Sequence, residues 1–348
     1  MNINIEDIVN QPEQPFSGSI WIGSGGQASF EMGYGFANRN EMIRNTPLTR
    51  FGVASGSKIF TAVAICQLAE KGLLRFDTLL KDCLEGTFPD FDPAITIHHL
   101  LTHSSGIPDY FDEETMSDYG ELWRLVPMYG FTSPAHFLPL FKDKRMKFAP
   151  GERFSYSNAG YIVLGLIIEK VTGISFQRYV EENIFRVSGM KDSGYFRLDQ
   201  LPERTAHGYI DNDGEWKTNI YSIPVIGGAD GGAFTTGQDM NRFWGALMEY
   251  RLLSRDYTEI LLSPQIKQNE HIHYGYGVWI VVKQQRIFKY FVMGSDPGVE
   301  MHSSVYPKTR MRAHILANVE HSAGMIARRL DEVIFSSENE EHAEQSQL

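Results

Sequence analysis

The 348-residue chain is 42% hydrophobic, which is enough apolar material for the core of one large domain or of two lobes. Its formal net charge is -11 at pH 7. Because binding to nucleic-acid phosphates requires clustered Lys and Arg, this acidic surplus argues against a nucleic-acid partner.

The first residues, 1–11, lack both the basic start and the apolar stretch of a secretory signal. No window approaches the roughly 18 consecutive apolar residues of a membrane span, so no transmembrane segment is predicted. We therefore expect a cytoplasmic chain as written, and an exported form whose signal had been removed would look the same. Of the two cysteines, Cys66 lies in an apolar helical run, and the pair Cys66 and Cys83 does not indicate a structural disulfide.

The chain begins with a predicted β-hairpin, because β-rich runs at 17–22 and 28–34 flank Ser24-Gly25-Gly26. A buried central helix follows: the run from Lys58 to Ala69 is apolar on nearly all sides and ends before Lys71-Gly72. Residues from about 76 to 220 then carry short helices and loops, including a helix that Thr96 caps and that ends at Leu101.

A second strongly apolar helix is predicted from Asn158 to Thr172, closed by Gly173, and Ser175 caps a third. Strand patterns return at 276–282, 288–293, 302–306 and 313–318. Apolar residues at helical spacing from Ile326 to Ile334 predict a last helix, and the polar, acidic residues 336–348 are expected to form a disordered tail.

Strands at both chain ends with helices between them predict an α+β fold, an α/β sandwich in which helices flank one antiparallel sheet. The sequence indicates a single catalytic domain over 1–335. Its sheet lobe comprises about 12–75 and 225–335, and a mostly helical lobe of about 76–224 is inserted between them. We expect the functional site in the cleft between the lobes.

Ser55-Gly56-Ser57-Lys58 fits the pattern S-x-x-K. If Ser55 opens the central helix, Ser55 and Lys58 lie one turn apart on the same face and their side chains can touch. A serine hydroxyl becomes a useful nucleophile when a neighbouring group accepts its proton, and the helix N-terminus offers backbone N–H groups to a developing oxyanion. The pattern alone is also expected about once by chance in a chain of this length.

Tyr156-Ser157-Asn158 is the second candidate motif, in the loop before a buried helix. In an extended segment, residues two apart point the same way, so the phenol of Tyr156 and the amide of Asn158 would share one face. A tyrosine can shuttle a proton and an asparagine can orient a lysine or hold a substrate carbonyl. In isolation the motif also has a purely structural interpretation, in which Tyr156 is a core residue and Asn158 caps the following helix.

The two motifs occur in order, about a hundred residues apart, together with further blocks. Residues 51–58, 100–108 and 154–161, and then 231–240 and 274–279, resemble the signature blocks of the class C β-lactamase-related serine hydrolases, over about residues 15–335. The resemblance implies the β-lactamase/transpeptidase-like fold and an acyl-enzyme at Ser55, with Lys58 and Tyr156 moving protons.

The resemblance further implies that Asn158 contacts the substrate and Lys58, and that Gly294 and Ser295 contact the substrate from a late edge strand. It implies neither a metal nor a cofactor. The expected partner is a small-molecule or peptide substrate, and no protein partner is predicted. The family includes β-lactamases, penicillin-binding proteins, D-amino-acid peptidases and carboxylesterases.

The sequence departs from the family pattern at the third motif, where K-T-G or H-x-G is expected. Alignment on Pro297-Gly298 places Val292-Met293-Gly294 there, so valine replaces the cation that usually meets a substrate carboxylate. Lys289 and His302 lie nearby in sequence, but each is interpreted as a surface or sheet residue. The loss of the cation is consistent with a substrate without that carboxylate, with slow turnover, or with a silent binding protein.

Other histidines are not assigned chemistry. His103 is interpreted as fixing a loop, and His271 and His273 lack the third ligand and the carboxylate partner of a metal site. The sequence therefore predicts a serine hydrolase that acts on β-lactams or D-amino-acid peptides, as a penicillin-binding protein or β-lactamase homologue of β-lactamase or D-Ala-D-Ala carboxypeptidase type. A carboxylesterase on the same fold is the enzymatic alternative, and a catalytically silent scaffold is the alternative from another class.

Overall fold

The computed structural model describes residue 8, residues 16–212 and residues 214–345. Its main sheet has eight strands in the order β2-β1-β14-β13-β12-β11-β10-β9, and every neighbouring pair is antiparallel. The strands of this sheet are β1 (Gly18–Ser24), β2 (Gln27–Tyr34), β9 (Ile266–Lys267), β10 (Ile272–Tyr274), β11 (Trp279–Lys283), β12 (Arg286–Asp296), β13 (Val299–Tyr306) and β14 (Met311–Ala317). Short pairs are formed by β3 (Phe36–Asn38) with β4 (Ile43–Arg44), β5 (Phe51–Gly52) with β8 (Phe234–Thr235), and β6 (Tyr209–Asn212) with β7 (Glu215–Thr218).

The sheet is assembled from both ends of the chain, as the sequence predicts. β1 pairs with β14 from Gly18 opposite Ala317 to Ser24 opposite Met311. β1 and β2 form the predicted hairpin, in which Gly25 and Gly26 make the turn with φ values of 58° and 86°. This left-handed backbone is the conformation that glycine adopts without steric cost.

Helices cover the sheet and form the inserted lobe, so the predicted α+β class is confirmed. Every residue from Lys58 to Ala69 is buried, which confirms the central helix. The helices, in chain order, are α1 (Lys58–Glu70), α2 (Leu80–Cys83), α3 (Ile97–Leu101), α4 (Leu122–Leu125), α5 (Asn158–Thr172), α6 (Phe176–Val180), α7 (Arg186–Ser188), α8 (Gly237–Met248), α9 (Arg255–Leu262) and α10 (Ala323–Gln345).

Side-chain caps fix the ends of the helices near the site. Thr96 caps α3 by accepting a hydrogen bond from the His99 backbone N–H. Gly173 ends α5 with φ 72°, as predicted. The cap at the start of α5 is Ser157, whose Oγ accepts from the Gly160 N–H at 3.1 Å, so the alternative that Asn158 is merely a cap is wrong. The Asn158 amide is thereby free for other contacts.

The last helix extends further than the sequence predicts. α10 continues to Gln345, past Ile334, where the apolar helical spacing ends. The disorder expected for residues 336–348 stays a prediction, and residues 346–348 lie outside the described part of the chain. The helix continues because of a long-range contact, in which the buried carboxylate of Glu338 accepts from the Arg286 guanidinium on β12 at 2.6 Å. A buried charge is retained when it is paired in this way.

Within the described ranges, no individual helix has the length and apolar character needed to cross a membrane. By length and composition alone, one bent pair meets the requirement, namely Asn158–Thr172 with Phe176–Ser188, whose axes differ by 77°. Cys66 and Cys83 are free thiols.

A buried ionic network attaches α10 to the sheet. The Lys289 ammonium donates to Asp331 Oδ2 at 2.7 Å and lies 3.2 Å from His302 Nε2, while the Tyr306 hydroxyl donates to Asp331 Oδ1 at 2.7 Å. Burial lowers the pKa of Lys289, and the Asp331 carboxylate opposes that shift. Lys289 and His302 therefore stabilise the packing of α10 on the sheet, in agreement with their interpretation as sheet residues, and they do not line the cleft.

Replacing Asp331 is expected to destabilise the fold strongly. Asp331→Ala would leave the Lys289 charge buried without its counter-ion, so the free energy of unfolding should fall by about 3 kcal/mol. The measurement is urea unfolding followed by circular dichroism. The matched control is Glu259→Ala, which removes an exposed i,i+4 pair with Arg255 and should cost less than about 1 kcal/mol. Equal effects for the two variants would contradict the importance of the buried network.

Candidate active site

Ser55 lies in a tight 3₁₀ turn, Ala54–Ser57, that leads directly into α1. Ala54 has φ 43°, a left-handed conformation that costs a non-glycine residue free energy. Two hydrogen bonds hold the turn, since the Ala54 carbonyl accepts from the Gly232 N–H at 3.1 Å and from Ser57 Oγ at 2.7 Å. The turn places Ser55 in the cavity wall at a helix N-terminus, where the first N–H groups have no intrahelical partner.

Lys58 lies one turn after Ser55, as predicted, and is almost completely buried at 1% exposure. Its Nζ donates to Ser55 Oγ at 3.0 Å, to Asn158 Oδ1 at 2.8 Å and to the Asp230 carbonyl at 2.6 Å. An ammonium group has three N–H donors, and each one has an acceptor here. The arrangement thus suits a charged Lys58 and joins the two sequence motifs.

Tyr156, to which the resemblance assigns proton transfer, lies beside Ser55 and Lys58. Its phenol hydrogen-bonds Ser55, and its ring centre lies 4.9 Å from Lys58 Nζ. Burial, followed by the Glu113 carboxylate, raises the pKa of the Tyr156 phenol well above its usual value of 10. The phenol therefore keeps its proton in the resting site. Trp279 stacks parallel to the Tyr156 ring and holds its orientation.

Asp109, which sequence reasoning missed, holds the start of α5. Its Oδ2 accepts from the Asn158 N–H at 2.6 Å, and its Oδ1 accepts from the Ala159 N–H at 3.1 Å and the Tyr110 N–H at 2.7 Å. Burial raises the pKa of Asp109 to about 6, and the backbone N–H groups of Ala159, Asn158 and Phe111 oppose the shift. The only signal in the sequence is its place just after the 100–108 block, because the Asn158 and Ala159 donors lie about fifty residues away.

His103 fixes the same loop from the other side. It is 1% exposed and adopts φ 56°, and its Nδ1 accepts from the Ser157 N–H at 3.0 Å. Its ring packs on Tyr156 with centroids 4.3 Å apart. Burial, followed by the Lys58 charge, lowers the pKa of His103 well below its usual range, so the imidazole is neutral. These contacts support its interpretation as a residue that fixes a loop.

The end of β12 forms the opposite wall of the site. β11 pairs with β12 only as far as Phe291, so the following residues have a free edge on that side. Gly294 lies against the nucleophile turn: a Cβ at this position would lie 2.7 Å from Ser55 N and 2.3 Å from the Val53 carbonyl oxygen. Val292 is 2% exposed and packs in the core, while Met293 is exposed on the cleft. The strand thus offers no cation at the third motif.

A cavity of about 1190 Å³ lies beside the nucleophile. Five predicted site residues line it, namely Ser55, Tyr156, Asn158, Gly294 and Ser295. Lys58 donates hydrogen bonds to three lining residues, Ser55, Asn158 and Asp230. Its other walls carry aromatic rings and carboxylates, which include Tyr110, Phe111, Tyr119, Trp123, Phe154, Trp279, Glu113, Asp230 and Asp296. The structure therefore brings the sequence candidates together in one site.

Asp230 and Asp296 are cavity residues that sequence reasoning missed. Burial raises the pKa of Asp296 to about 7, and the Asp230 carboxylate raises it further while Lys58 opposes the shift. Burial also raises the pKa of Asp230. Both residues sit beside glycine-containing blocks of the sequence, at 231–232 and 297–298, but a periodicity argument does not show that they face one cavity.

Comparison with known proteins identifies the family. The chain matches the sequence profile of the Beta-lactamase family over residues 8–333 and therefore belongs to that family, whose members are serine hydrolases. This confirms the resemblance inferred from the motifs.

Penicillin-binding protein 4* of Bacillus subtilis (strain 168) is 30% identical over 286 residues, which cover 76% of this chain and 60% of that protein. The chain thus spans less than two thirds of the length of this relative. A penicillin-binding protein from Bacillus halodurans has a solved structure with 49% identity and a TM-score of 0.90, covering 94% of this chain and 98% of that one. D-amino acid amidase from Ochrobactrum anthropi SV3, at 22% identity and a TM-score of 0.74 over 97% and 98% of the two chains, shares the fold.

Gly294→Ala is expected to slow acylation of Ser55 on the order of 100-fold. The added methyl group would overlap the Ser55 amide, so the strand or the nucleophile turn must shift, and displacements of about 1 Å have effects of this size on positioned reactions. The measurement is the rate of fluorophosphonate labelling. Gly130→Ala is the control, because a Cβ there meets nothing within 4 Å. A Gly294→Ala rate within threefold of wild type would contradict the close approach.

Asp296→Asn is expected to stabilise the protein at pH 8 and to have little effect near pH 4. A carboxyl whose pKa rises from 3.8 to about 7 on folding holds its proton more tightly in the folded state. Its destabilising effect therefore grows as the pH increases from about 4 to about 7. The variant should melt roughly 2 °C or more above wild type at pH 8. The same increase at both pH values would show that ionisation of Asp296 is not the cause.

Proposed function

We propose that the protein is a serine hydrolase that cleaves acyl bonds through a covalent intermediate at Ser55. The observation that carries this proposal is the position of Lys58 Nζ, 3.0 Å from Ser55 Oγ and 2.8 Å from Asn158 Oδ1. The amine is buried and charged, while the Ser55 hydroxyl that it contacts lines a large cavity. This arrangement supports nucleophilic catalysis over a silent scaffold.

In the first half-reaction, Ser55 Oγ forms a bond to the substrate carbonyl carbon and the bond from that carbon to the leaving group breaks. The Oγ proton passes to the Tyr156 phenol as the phenol gives its own proton to the leaving group. Because the phenol keeps its proton in the resting site, this relay avoids a free phenolate. Water then forms a bond to the acyl carbon and the bond from that carbon to Ser55 Oγ breaks, which releases the carboxylic acid product. The proton lost by the water passes to the Tyr156 phenol as the phenol gives its own proton back to Ser55 Oγ.

Negative charge develops on the carbonyl oxygen during both half-reactions. Ser55 lies at the helix N-terminus, and Gly294 holds the β12 backbone against the Ser55 amide. N–H groups from the turn and from the Gly294–Ser295 backbone are the donors for this oxyanion. The Lys58 charge beneath them adds electrostatic stabilisation.

The preferred substrates are D-amino-acid peptides or amides that lack a carboxylate next to the scissile bond. A carboxylate beside that bond, as in a β-lactam, would meet Val292 in the core and Met293 on the cleft instead of a cation. The fold neighbour named D-amino acid amidase supports the amide class, whereas the relatives named penicillin-binding proteins support an acyl-enzyme at this serine without selecting against a carboxylate. A carboxylesterase is the second candidate, favoured by the same missing cation.

Ser55→Ala is expected to abolish covalent labelling completely. Wild type should gain the mass of one fluorophosphonate adduct, and peptide mapping should place it on Ser55. Labelling should be unaffected by Ser117→Ala, which removes another cavity serine outside the Lys58 contacts. The measurement is intact-protein mass spectrometry, repeated with a fluorescent penicillin and with short acyl esters.

The reagents separate the candidate functions. A fluorophosphonate adduct with slow or absent penicillin labelling supports the amidase or peptidase, and turnover of short esters without turnover of D-amino-acid amides would transfer support to the esterase. A rapid penicilloyl adduct would show that the missing cation does not restrict the substrate. No adduct with any reagent would refute the nucleophilic role of Ser55.

A further inference from the structure

Glu113 is a residue of the cavity wall that lies against the second sequence motif. Its Oε1 accepts a hydrogen bond from Asn158 Nδ2 at 3.5 Å, while Asn158 Oδ1 accepts from Lys58 Nζ at 2.8 Å. The Asn158 amide thus joins Glu113 to the lysine beside the nucleophile. Glu113 lines the same cavity as Ser55 and Tyr156, so its carboxylate belongs to the space in which the reaction takes place.

The two neighbours of Glu113 are held by ion pairs, which limits where its own side chain can reach. Asp112 Oδ1 accepts from Lys147 Nζ at 2.8 Å, and Glu114 Oε1 accepts from Arg153 at 2.7 Å. Asp112 Oδ1 also accepts from the Glu114 backbone N–H at 3.1 Å, which closes the turn around Glu113. Both cations lie in the segment just before the second motif, so this turn is fixed to the motif that it faces.

Glu113 differs from these neighbours in what it offers to the cavity. Within the described ranges, the ion pairs of this turn belong to Asp112 and Glu114, and Glu113 has none. Burial, followed by the Glu113 charge, raises the pKa of the Tyr156 phenol, so the carboxylate lies close to that phenol as well as to Asn158. An ionised carboxylate has only acceptor positions, and those of Glu113 are open to a donor that enters beside Tyr156.

Hydrolysis of an acyl-enzyme requires a water molecule in one orientation. The water oxygen bonds to the acyl carbon while one of its hydrogens passes to the Tyr156 phenol, and the bond from that carbon to Ser55 Oγ breaks. The second hydrogen stays on the same oxygen. If that O–H has no acceptor, the water can rotate away from the acyl carbon, and the rate advantage of an oriented reactant is lost.

We propose that Glu113 holds the hydrolytic water, an inference that rests on the acyl-enzyme proposed above at Ser55. The Glu113 carboxylate accepts a hydrogen bond from the second O–H of the water, so that the first O–H faces the Tyr156 phenol and the oxygen faces the acyl carbon. The second hydrogen leaves with the carboxylic acid product. Glu113 is therefore a catalytic residue of deacylation and takes no part in forming the acyl-enzyme.

Glu113→Gln is expected to slow deacylation about 100-fold and to leave acylation within about threefold of wild type. The amide keeps the size of the side chain but loses the charge that makes a carboxylate a strong acceptor. The substrate is 4-nitrophenyl acetate, because its burst of nitrophenolate measures acylation of Ser55 and the steady rate that follows measures deacylation. Intact-protein mass spectrometry of quenched samples should show an acetyl adduct that accumulates on Glu113→Gln and not on wild type.

Glu85→Gln is the matched control, because it makes the same chemical change at an exposed position outside the cavity wall and should leave both rates unchanged. Hydroxylamine gives a second test. It is a stronger nucleophile than water and needs no carboxylate to orient it, so it should release the acetyl group from wild type and from Glu113→Gln at similar rates. A hydroxylamine reaction slowed as strongly as hydrolysis would contradict a role confined to water.

The remaining outcomes separate this inference from the function on which it rests. A higher KM with unchanged deacylation would overturn the water site and make Glu113 a substrate-binding residue. Equal slowing of the burst and of the steady rate would also overturn it, because Glu113 would then act on Tyr156 in both half-reactions. Fluorophosphonate labelling of Ser55 together with normal deacylation by Glu113→Gln would remove only the water site, whereas a wild type that forms no adduct would remove the hydrolase and the water site with it.

Discussion

The buried ammonium group of Lys58 is the interaction on which the site depends. A charge with 1% exposure is stable only if each of its donors is satisfied, and the three acceptors come from the turn before α1, the start of α5 and the segment before β8. The sheet lobe and the inserted lobe must therefore meet at this point. The site therefore forms only where these three segments pack together.

The rest of the architecture holds those three segments in place. Asp109 and His103 bind the backbone on either side of Tyr156 and Asn158, so the loop before α5 has little freedom to move. On the other wall, the close approach of Gly294 to the nucleophile turn fixes the strand edge. Precise positioning of this kind is what an acyl-transfer site requires, because small displacements have large effects on rate.

Short-range patterns in the sequence predict much of this. The spacing of Ser55 and Lys58, the hairpin at Gly25-Gly26 and the cap at Thr96 depend on neighbouring residues, and the structure contains all of them. What the patterns do not predict depends on partners far along the chain. Helix α10 persists because Glu338 meets Arg286, and Asp296 reaches the cavity only through sheet pairing. Such contacts have no local periodicity.

Specificity at the third motif follows from what β12 offers to a substrate. Val292 is buried and uncharged, so a substrate carboxylate beside it would lose hydration without gaining a cation, which favours substrates that lack that carboxylate. The cavity wall also limits the stability of the fold. Burial raises the pKa of Asp296 to about 7, so ionisation of this carboxyl destabilises the folded protein as the pH rises toward neutrality. A residue that shapes the cleft therefore lowers the free energy of unfolding in the same pH range in which the cleft works.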